Sequence, residues 1–276
     1  MKKKICFITV IVLFVCMLVG CTSSKLNKIN LEELNNKVKN QETFILYCSS
    51  ENRNNLEEKL SEIGTNPKDI DYIVISHSHS DHISGIESFI KKHKPIICVT
   101  REILKHIPCI KYYDNLYIYD EDSIKLDEDE IFSFNVSHDS NDAKNFIISS
   151  NNLKVAYVTD TGYLNQKYFK MLSNLDCYLF ESNHDVEMLN NGPYPKWLKK
   201  RVISDIGHLS NISSSVYLSK LIGNNTKKII LTHLSETNNT PEKALETFNN
   251  VTSEYEINFS NISCAKQNEI SEVINI

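Results

Sequence analysis

The run Ile75-Ser76-His77-Ser78-His79-Ser80-Asp81-His82 constrains this chain more than any other segment. It places three histidines and an aspartate within six residues, directly after an apolar, β-prone stretch. In an extended segment, residues two apart project to the same side, so His77 and His79 can grip one ion together. Ser78 and Ser80 are small enough to let the loop curl. Asp81 and His82, at the mouth of a following helix, can then turn toward a second ion. Imidazole and carboxylate donors suit Zn, Fe, Mn or Ni better than soft Cu(I).

The other candidate ligands share one placement, because each closes a β-prone run. His138 follows Ile131–Val136, Asp160 follows Val155–Val158, Glu181 and His184 follow Cys177–Phe180, and His233 follows Lys228–Leu231. Open α/β sheets build their sites from side chains projecting beyond strand C-terminal ends. Five strand ends carrying His or carboxylate therefore read as one constellation. His93 and His106 differ: they lie in Lys-rich helical surroundings and read as surface residues.

Between these points, further strands are expected at Phe44–Cys48, Asp71–Ser76, Pro95–Val99 and Asn145–Ser149. Helices are expected at Leu56–Ile63, Gly85–Lys92, Ser213–Ile222 and Pro241–Val251. No repeat, low-complexity tract or long linker interrupts them, so residues 43–276 read as one α/β domain. With 41% hydrophobic residues the chain can bury a core and is not disordered. Its eight cysteines form no CxxC pair and do not read as a disulfide framework. A formal net charge of −5 excludes a basic nucleic-acid coat. Attraction to a phosphate substrate must come from bound metal or a local basic patch. Lys196, Trp197, Lys199, Lys200 and Arg201 form such a patch, able to meet phosphate and stack on a base. A solvated amphipathic stretch is the equally open reading.

The N-terminus reads as an address. Lys2, Lys3 and Lys4 precede the apolar run Ile5–Val19, which is too short for a comfortable membrane span of about 20 residues. Its end, Leu18-Val19-Gly20-Cys21, resembles the lipobox of bacterial lipoproteins, with cleavage before Cys21 and lipid on its thiol. Residues 1–20 are then a lipoprotein signal peptide, and 21–42 a tether with a short amphipathic helix on Leu31, Leu34 and Val38. This places the protein outside the cell, lipid-anchored to the outer face of the membrane; an uncleaved signal acting as anchor is the alternative. Removing residues 1–20 takes away three lysines and no acid, leaving 27 basic against 35 acidic side chains, a net −8.

The motif His77-x-His79-x-Asp81-His82 resembles the hallmark of metallo-β-lactamase-fold hydrolases, from about Phe44 to the C-terminus. Narrower motifs are similar to one branch, the YycJ (WalJ, VicX) family of bacterial nucleases related to ribonuclease Z. They are Val136-Ser137-His138-Asp139, Thr159-Asp160-Thr161-Gly162, Glu181-Ser182-Asn183-His184-Asp185, Gly207-His208-Leu209-Ser210-Asn211, and Leu231–Ser235 followed by Asn238-Asn239-Thr240-Pro241. The resemblance implies an α/β fold, a four-layered αββα sandwich, with two divalent ions (Zn, Mn or Fe). It places His77, His79 and His138 on the first ion, Asp81, His82 and His233 on the second, and Asp160 between them. It implies a hydroxide between the ions attacking phosphorus, with Asp81 orienting it. His208 is implied as general acid or leaving-group stabiliser, Glu181 as the residue fixing its tautomer, and His184 as an extra ligand or substrate contact.

The chain departs from that family pattern at its start. Members begin with a Gly/Ser-rich strand and a second strand ending in an Asp-x-Gly turn. Here Phe44–Ser50 takes the second position with Cys48 for Asp and Ser50 for Gly, and no good equivalent of the first strand precedes it. An export signal is also unexpected in a family associated with the cytoplasm. The function these readings point to is a metal-dependent phosphodiesterase or nuclease, DNA exonuclease-like, with nucleic acid or another phosphodiester as partner and no protein partner implied. The same chemistry would serve a hydrolase of a small ester, lactone, thioester or lactam. The intact ligand set argues against a non-catalytic surface binding lipoprotein.

Overall fold

The computed structural model describes residues 55–62, 65–120, 122–126, 129–150, 152–266, 271 and 273–274, with short strands at 5–6, 13–16 and 43–46. The chain forms two units, residues 1–133, 140–144 and 266–276 in the first and 134–139 and 145–265 in the second.

In the first unit, β1 (Ile5–Cys6) pairs antiparallel with Val273–Ile274, and β2 (Leu13–Cys16) pairs antiparallel with β3 (Thr43–Leu46), Leu13 facing Leu46. A strand therefore does precede the Phe44 segment, contrary to the sequence expectation, and it comes from the apolar run read as a signal. Cys21 and the amphipathic helix expected at Leu31–Val38 lie outside the described residues, as do Cys48 and Ser50. The central sheet is parallel: β4 (Tyr72–Val74), β5 (Ile96–Val99) and β6 (Leu116–Ile118), with Tyr72 opposite Ile96 and Ile97 opposite Leu116. Tyr72-Ile73-Val74 and Ile96-Ile97-Cys98-Val99 are buried without alternation, as parallel strands covered on both faces are. Among the described residues, helices α1 (Asn55–Glu62), α2 (Ser80–Ile83), α3 (Ile86–His93) and α4 (Arg101–Leu104) accompany them. Ile86, Phe89 and Ile90 form the inward stripe of α3, packed with Ile73, Ile97, Val99 and Ile103. Helix α3 ends where Lys94 turns left-handed (φ 56°), with Pro95 next. β7 (Ser123–Leu126) and β8 (Asp129–Asn135) form an antiparallel hairpin.

The second unit is built on β9 (Lys144–Ser150), β10 (Leu153–Val158), β11 (Cys177–Glu181), β12 (Lys228–Thr232) and β13 (Ile262–Cys264). β9 and β10 are antiparallel across a tight turn in which Asn152 takes φ 66°. β10, β11, β12 and β13 then run parallel, with Val158 opposite Phe180 and Glu181 opposite Thr232. Their carboxyl ends consequently lie along one edge. Helices α5 (Phe169–Leu172), α6 (Val186–Asn191), α7 (Lys196–Val202), α8 (Asn211–Leu221) and α9 (Pro241–Glu254) fill the connections. Ser210 and Thr240 cap α8 and α9 by accepting from the amides of Ser213 and Lys243.

Candidate metal centre

In the first unit, β4 delivers the histidine motif. The ladder extends to Ile75, whose amide donates to the Cys98 carbonyl (3.0 Å), and the chain then leaves the sheet. The Lys144 amide holds the Ser76 carbonyl (2.9 Å), which fixes the loop's departure point. His77 Nδ1 bonds Ser76 Oγ (3.1 Å), which fixes the orientation of its ring. The rings of His77 and His79 lie 4.8 Å apart, those of His77 and His82 3.9 Å apart, and Asp81 Oδ2 lies 3.5 Å from His82 Nε2. All four motif side chains thus gather at the end of β4.

In the second unit, the parallel register of β10, β11 and β12 brings Asp160, Glu181 and His233 to one edge, and the loop before α8 adds His208. These four side chains offer ligand atoms within 4.8 Å of one another. Glu181 is their hub. Its Oε1 accepts from His208 Nδ1 (2.9 Å) and His233 Nδ1 (2.7 Å), while Oε2 accepts from the amides of Leu209 (3.0 Å) and Thr161 (3.2 Å). Burial alone would raise this carboxyl's pKa. The charges and hydrogen bonds of His208 and His233 outweigh it and hold the group well below the usual carboxylate range.

Asp160 is oriented by its neighbour: Thr159 Oγ1 donates to Oδ2 (3.0 Å), turning Oδ1 toward the imidazoles. His233 Nε2 lies 3.6 Å and His138 Nε2 3.9 Å from that oxygen. Both distances exceed a hydrogen bond. They lie 0.2 and 0.5 Å beyond the roughly 3.4 Å between neighbouring ligands around a tetrahedral ion with bonds of about 2.0–2.1 Å, so small side-chain shifts would bring these atoms onto one. Each imidazole also has its far nitrogen engaged, His233 Nδ1 on Glu181 and His138 Nδ1 on the Gly207 carbonyl (3.3 Å). That pattern fixes the tautomer with the Nε2 lone pair aimed inward, as metal-binding histidines require. The residues of this unit therefore fit a divalent ion. Asp160 (φ 51°) and His233 (φ 57°) both take left-handed backbone, uncommon for non-glycine residues and concentrated at functional sites.

Behind these side chains the narrower sequence motifs interlock. Ser182 Oγ donates to Asn211 Oδ1 (2.6 Å), Asn239 Nδ2 donates to the Ser182 carbonyl (2.8 Å), and Asn183 Nδ2 donates to the His233 carbonyl (2.9 Å). The segments following β11, preceding α8 and following β12 are held in one buried polar network.

The remaining expected residues stand apart. His184 is buried and joins no metal-holding group among the described residues. Its Nδ1 has no hydrogen-bond partner there, and burial pushes its pKa down to about 4. On α7, Lys199 donates to the Asn190 carbonyl (2.7 Å) and Arg201 pairs with Asp139. Lys196, Lys200 and Trp197 (67% exposed) face solvent. Contrary to the sequence expectation, His93 is not a surface residue: its side chain is only 9% exposed, its ring is tilted against Phe89 (centroids 4.6 Å), and it lies 3.2 Å from Glu57, a partner far away in sequence. His106 is exposed, as expected. The sequence reading missed the bond from Glu181 to His233, which only the strand register creates. Gly207 stands in the expected motif for a reason the motif does not give: a Cβ there would stand 2.2 Å from the Arg201 carbonyl oxygen.

Residues 48–234 match the family model described as a Beta-lactamase superfamily domain. This chain belongs to that superfamily. It is 37% identical over 191 residues to the exodeoxyribonuclease WalJ of Streptococcus pneumoniae, covering 67% of this chain and 71% of that one. It is 36% identical over 190 residues to the exodeoxyribonuclease YycJ of Bacillus anthracis, with the same coverage. Among solved structures it resembles the metallo-β-lactamase fold protein YhfI from Bacillus subtilis (TM-score 0.56, 14% identity, 77% of this chain and 82% of that one). The fold is thus the metallo-β-lactamase fold, of α/β class, and divalent metal binding goes with it.

Proposed function

We propose that the protein is a metal-dependent phosphodiesterase that degrades DNA from an end. The observation that carries this reading is the Asp160–His233–Glu181–His208 cluster, in a chain more than a third identical to exodeoxyribonucleases. The ligand assignment follows the motif order: His77, His79 and His138 for one ion, Asp81, His82 and His233 for the other, Asp160 shared. Zn, Mn or Fe all suit these donors. Bound divalent ions would make a water nucleophilic near neutral pH and neutralise phosphate charge.

The protein's own part is positional. Thr159 and Glu181 hold Asp160 and His233 in their ligand orientations. The ionised Glu181 keeps a proton on His208 Nδ1, so His208 Nε2 is the atom left to meet the departing oxygen, and it would give that oxygen a proton from the imidazolium form that the Glu181 carboxylate favours. Asp81, exposed beside His82, orients the attacking water. The test is the purified full chain loaded with Zn or Mn and offered single-stranded DNA, RNA, bis-p-nitrophenyl phosphate and a chromogenic lactam. Cleavage of the lactam but of neither DNA nor the diester would sink the proposal. Activity unchanged by His79→Ala would remove the two-metal mechanism. We also propose export and lipidation at Cys21, supported by the Leu-Val-Gly-Cys run; lipid labelling at Cys21 tests it.

A further inference from the structure

The segments that carry two of the candidate ligands of the second unit also carry something the proposed chemistry does not use. Asn135 and Ser137, just before His138, and Tyr163, Asn165, Lys167 and Tyr168, just after Asp160, line a pocket of about 210 Å³. The two walls are clasped together by the Gly162 amide, which donates to the Ser137 carbonyl (2.9 Å). Thr161 Oγ1 donates to the Tyr163 carbonyl (2.7 Å), and Leu164 is buried beneath, so the wall with Tyr163 is anchored on both sides of that residue.

The lining is unusual for a surface crease. Tyr163 is 40% exposed, a large ring left partly in water. Tyr168 packs against Phe134 with ring centroids 4.8 Å apart, and the Lys167 ammonium sits 4.7 Å above the Tyr168 ring. Among the described residues no carboxylate pairs with Lys167. Asn165 Oδ1 accepts from the Lys167 amide (3.0 Å), which fixes the turn that presents the lysine. The volume is below the roughly 300–1,000 Å³ of pockets for drug-sized ligands, and suits one flat ring or sugar. An exposed aromatic face, an exposed cation over the Tyr168 ring and side-chain amides together supply what a single strand of nucleic acid needs. The ring stacks on a base, the cation meets the backbone phosphate, and the amides bond base edges whatever the base.

We propose that this pocket is a nucleotide subsite that grips the DNA strand beside the reacting phosphate. Tyr163 stacks on one base, and Lys167, steadied over Tyr168, meets a neighbouring phosphate. The proposal rests on the nuclease reading and adds where the strand is held. Stacking without base-specific contacts also means that degradation proceeds with little regard to sequence.

The test uses the metal-loaded full chain with a 5′-labelled single-stranded oligodeoxynucleotide, and separately isothermal titration with deoxyadenosine monophosphate. Tyr163→Ala and Lys167→Ala raise KM about fivefold or more, with kcat within twofold of wild type, as loss of one stacked base or one phosphate contact requires. Tyr163→Phe, which keeps the ring, retains the wild-type KM. Deoxyadenosine monophosphate binds wild type and loses that binding in Tyr163→Ala. KM unmoved in both alanine variants overturns the subsite while leaving the nuclease reading in place. If wild type cuts no single-stranded DNA, the nuclease reading falls and the titration decides alone. Binding lost in Tyr163→Ala then upholds the subsite, and no binding by wild type overturns it.

Discussion

Glu181 shows how much one side chain is asked to do. Burying a lone carboxylate costs several kcal/mol, and four donors offset that cost here: two imidazoles and two backbone amides. Glu181→Gln keeps the shape but replaces one acceptor oxygen with a donor. Either the two imidazoles or the backbone amides of Leu209 and Thr161 then face a donor, so one of these pairs must give way. We expect turnover of single-stranded DNA to fall about 10–100-fold together with metal content measured on the purified protein, the cost usual for partners behind metal ligands. Unchanged metal content and rate would show that the imidazoles need no such support. His184 gives a separate, pH-dependent outcome. Its folded pKa, about 4 because of burial, lies below the ordinary 6.5, so the folded state resists protonation. Its contribution to stability is complete above pH 6.5 and is lost as pH falls from 6.5 toward 4, by an amount of the order of 3 kcal/mol. Thermal melts of wild type and His184→Gln across that window should converge in acid. His77, His79, Asp81 and His82 were legible in the sequence because their spacing is itself the chemistry. The hydrogen bond of Glu181 to His233 and the burial of His93 were not, because they depend on partners fifty-two and thirty-six residues away.

At the scale of elements, the site is set by strand register and by how closely the loops approach. Parallel pairing of Phe180 with Leu231 and of Val158 with Phe180 puts three strand ends level, so a one-residue slip would turn Glu181 away from His233. Two glycines then let α7 and its following turn press against the ligand loops. A Cβ at Gly162 would lie 2.2 Å from the Asp205 carbonyl carbon, and one at Gly207 2.2–2.3 Å from the Arg201 and Val202 oxygens. All of these neighbours are backbone, which cannot swing aside. Gly207→Ala must therefore displace the segment bearing His208, along with the carbonyl that orients His138. Its expected signature is a fall in kcat of at least tenfold with a soluble, folded protein by circular dichroism. A kcat within twofold of wild type would show that the loop tolerates the shift. The elements legible in sequence were those with strong apolar runs or a clear helical period: β3, β4, β5, β8, β9, β10, β11 and β12, and the helices α1, α3, α8 and α9. The one-turn helices and β6, β7 and β13 were not. Three or four residues carry too little periodicity to register, and α7 hides its period under a basic face around Trp197.

For the whole molecule, the acidic balance of 35 Asp and Glu against 30 Lys and Arg is reconciled with a polyanionic substrate only locally. Divalent ions and single cations such as Lys167 supply positive charge where a phosphate would lie. The N-terminus poses the larger question, because one stretch of sequence is asked to serve two ends. Leu13–Cys16 pairs with Thr43–Leu46 in the uncleaved chain, yet it also sits inside the apolar run that ends at the lipobox-like Cys21. Among the described residues no helix is long and apolar enough to cross a membrane. Cleavage before Cys21 removes β1 and β2 together and leaves β3 without that neighbour, while every candidate ligand, from His77 onward, stays in the chain. The expected consequence is a separation of stability from activity. A chain beginning at Cys21 should keep its kcat on single-stranded DNA within about twofold of the full-length protein. Its melting temperature should be lower, by about 2–4 °C for each kcal/mol that the lost pairing contributed. In the native host, an N-terminus at Cys21 carrying lipid in the membrane fraction, and its absence in Cys21→Ser, would establish that the strand is transient. An unlabelled cytosolic protein retaining Met1 would show instead that Leu13–Cys16 is a permanent part of the fold.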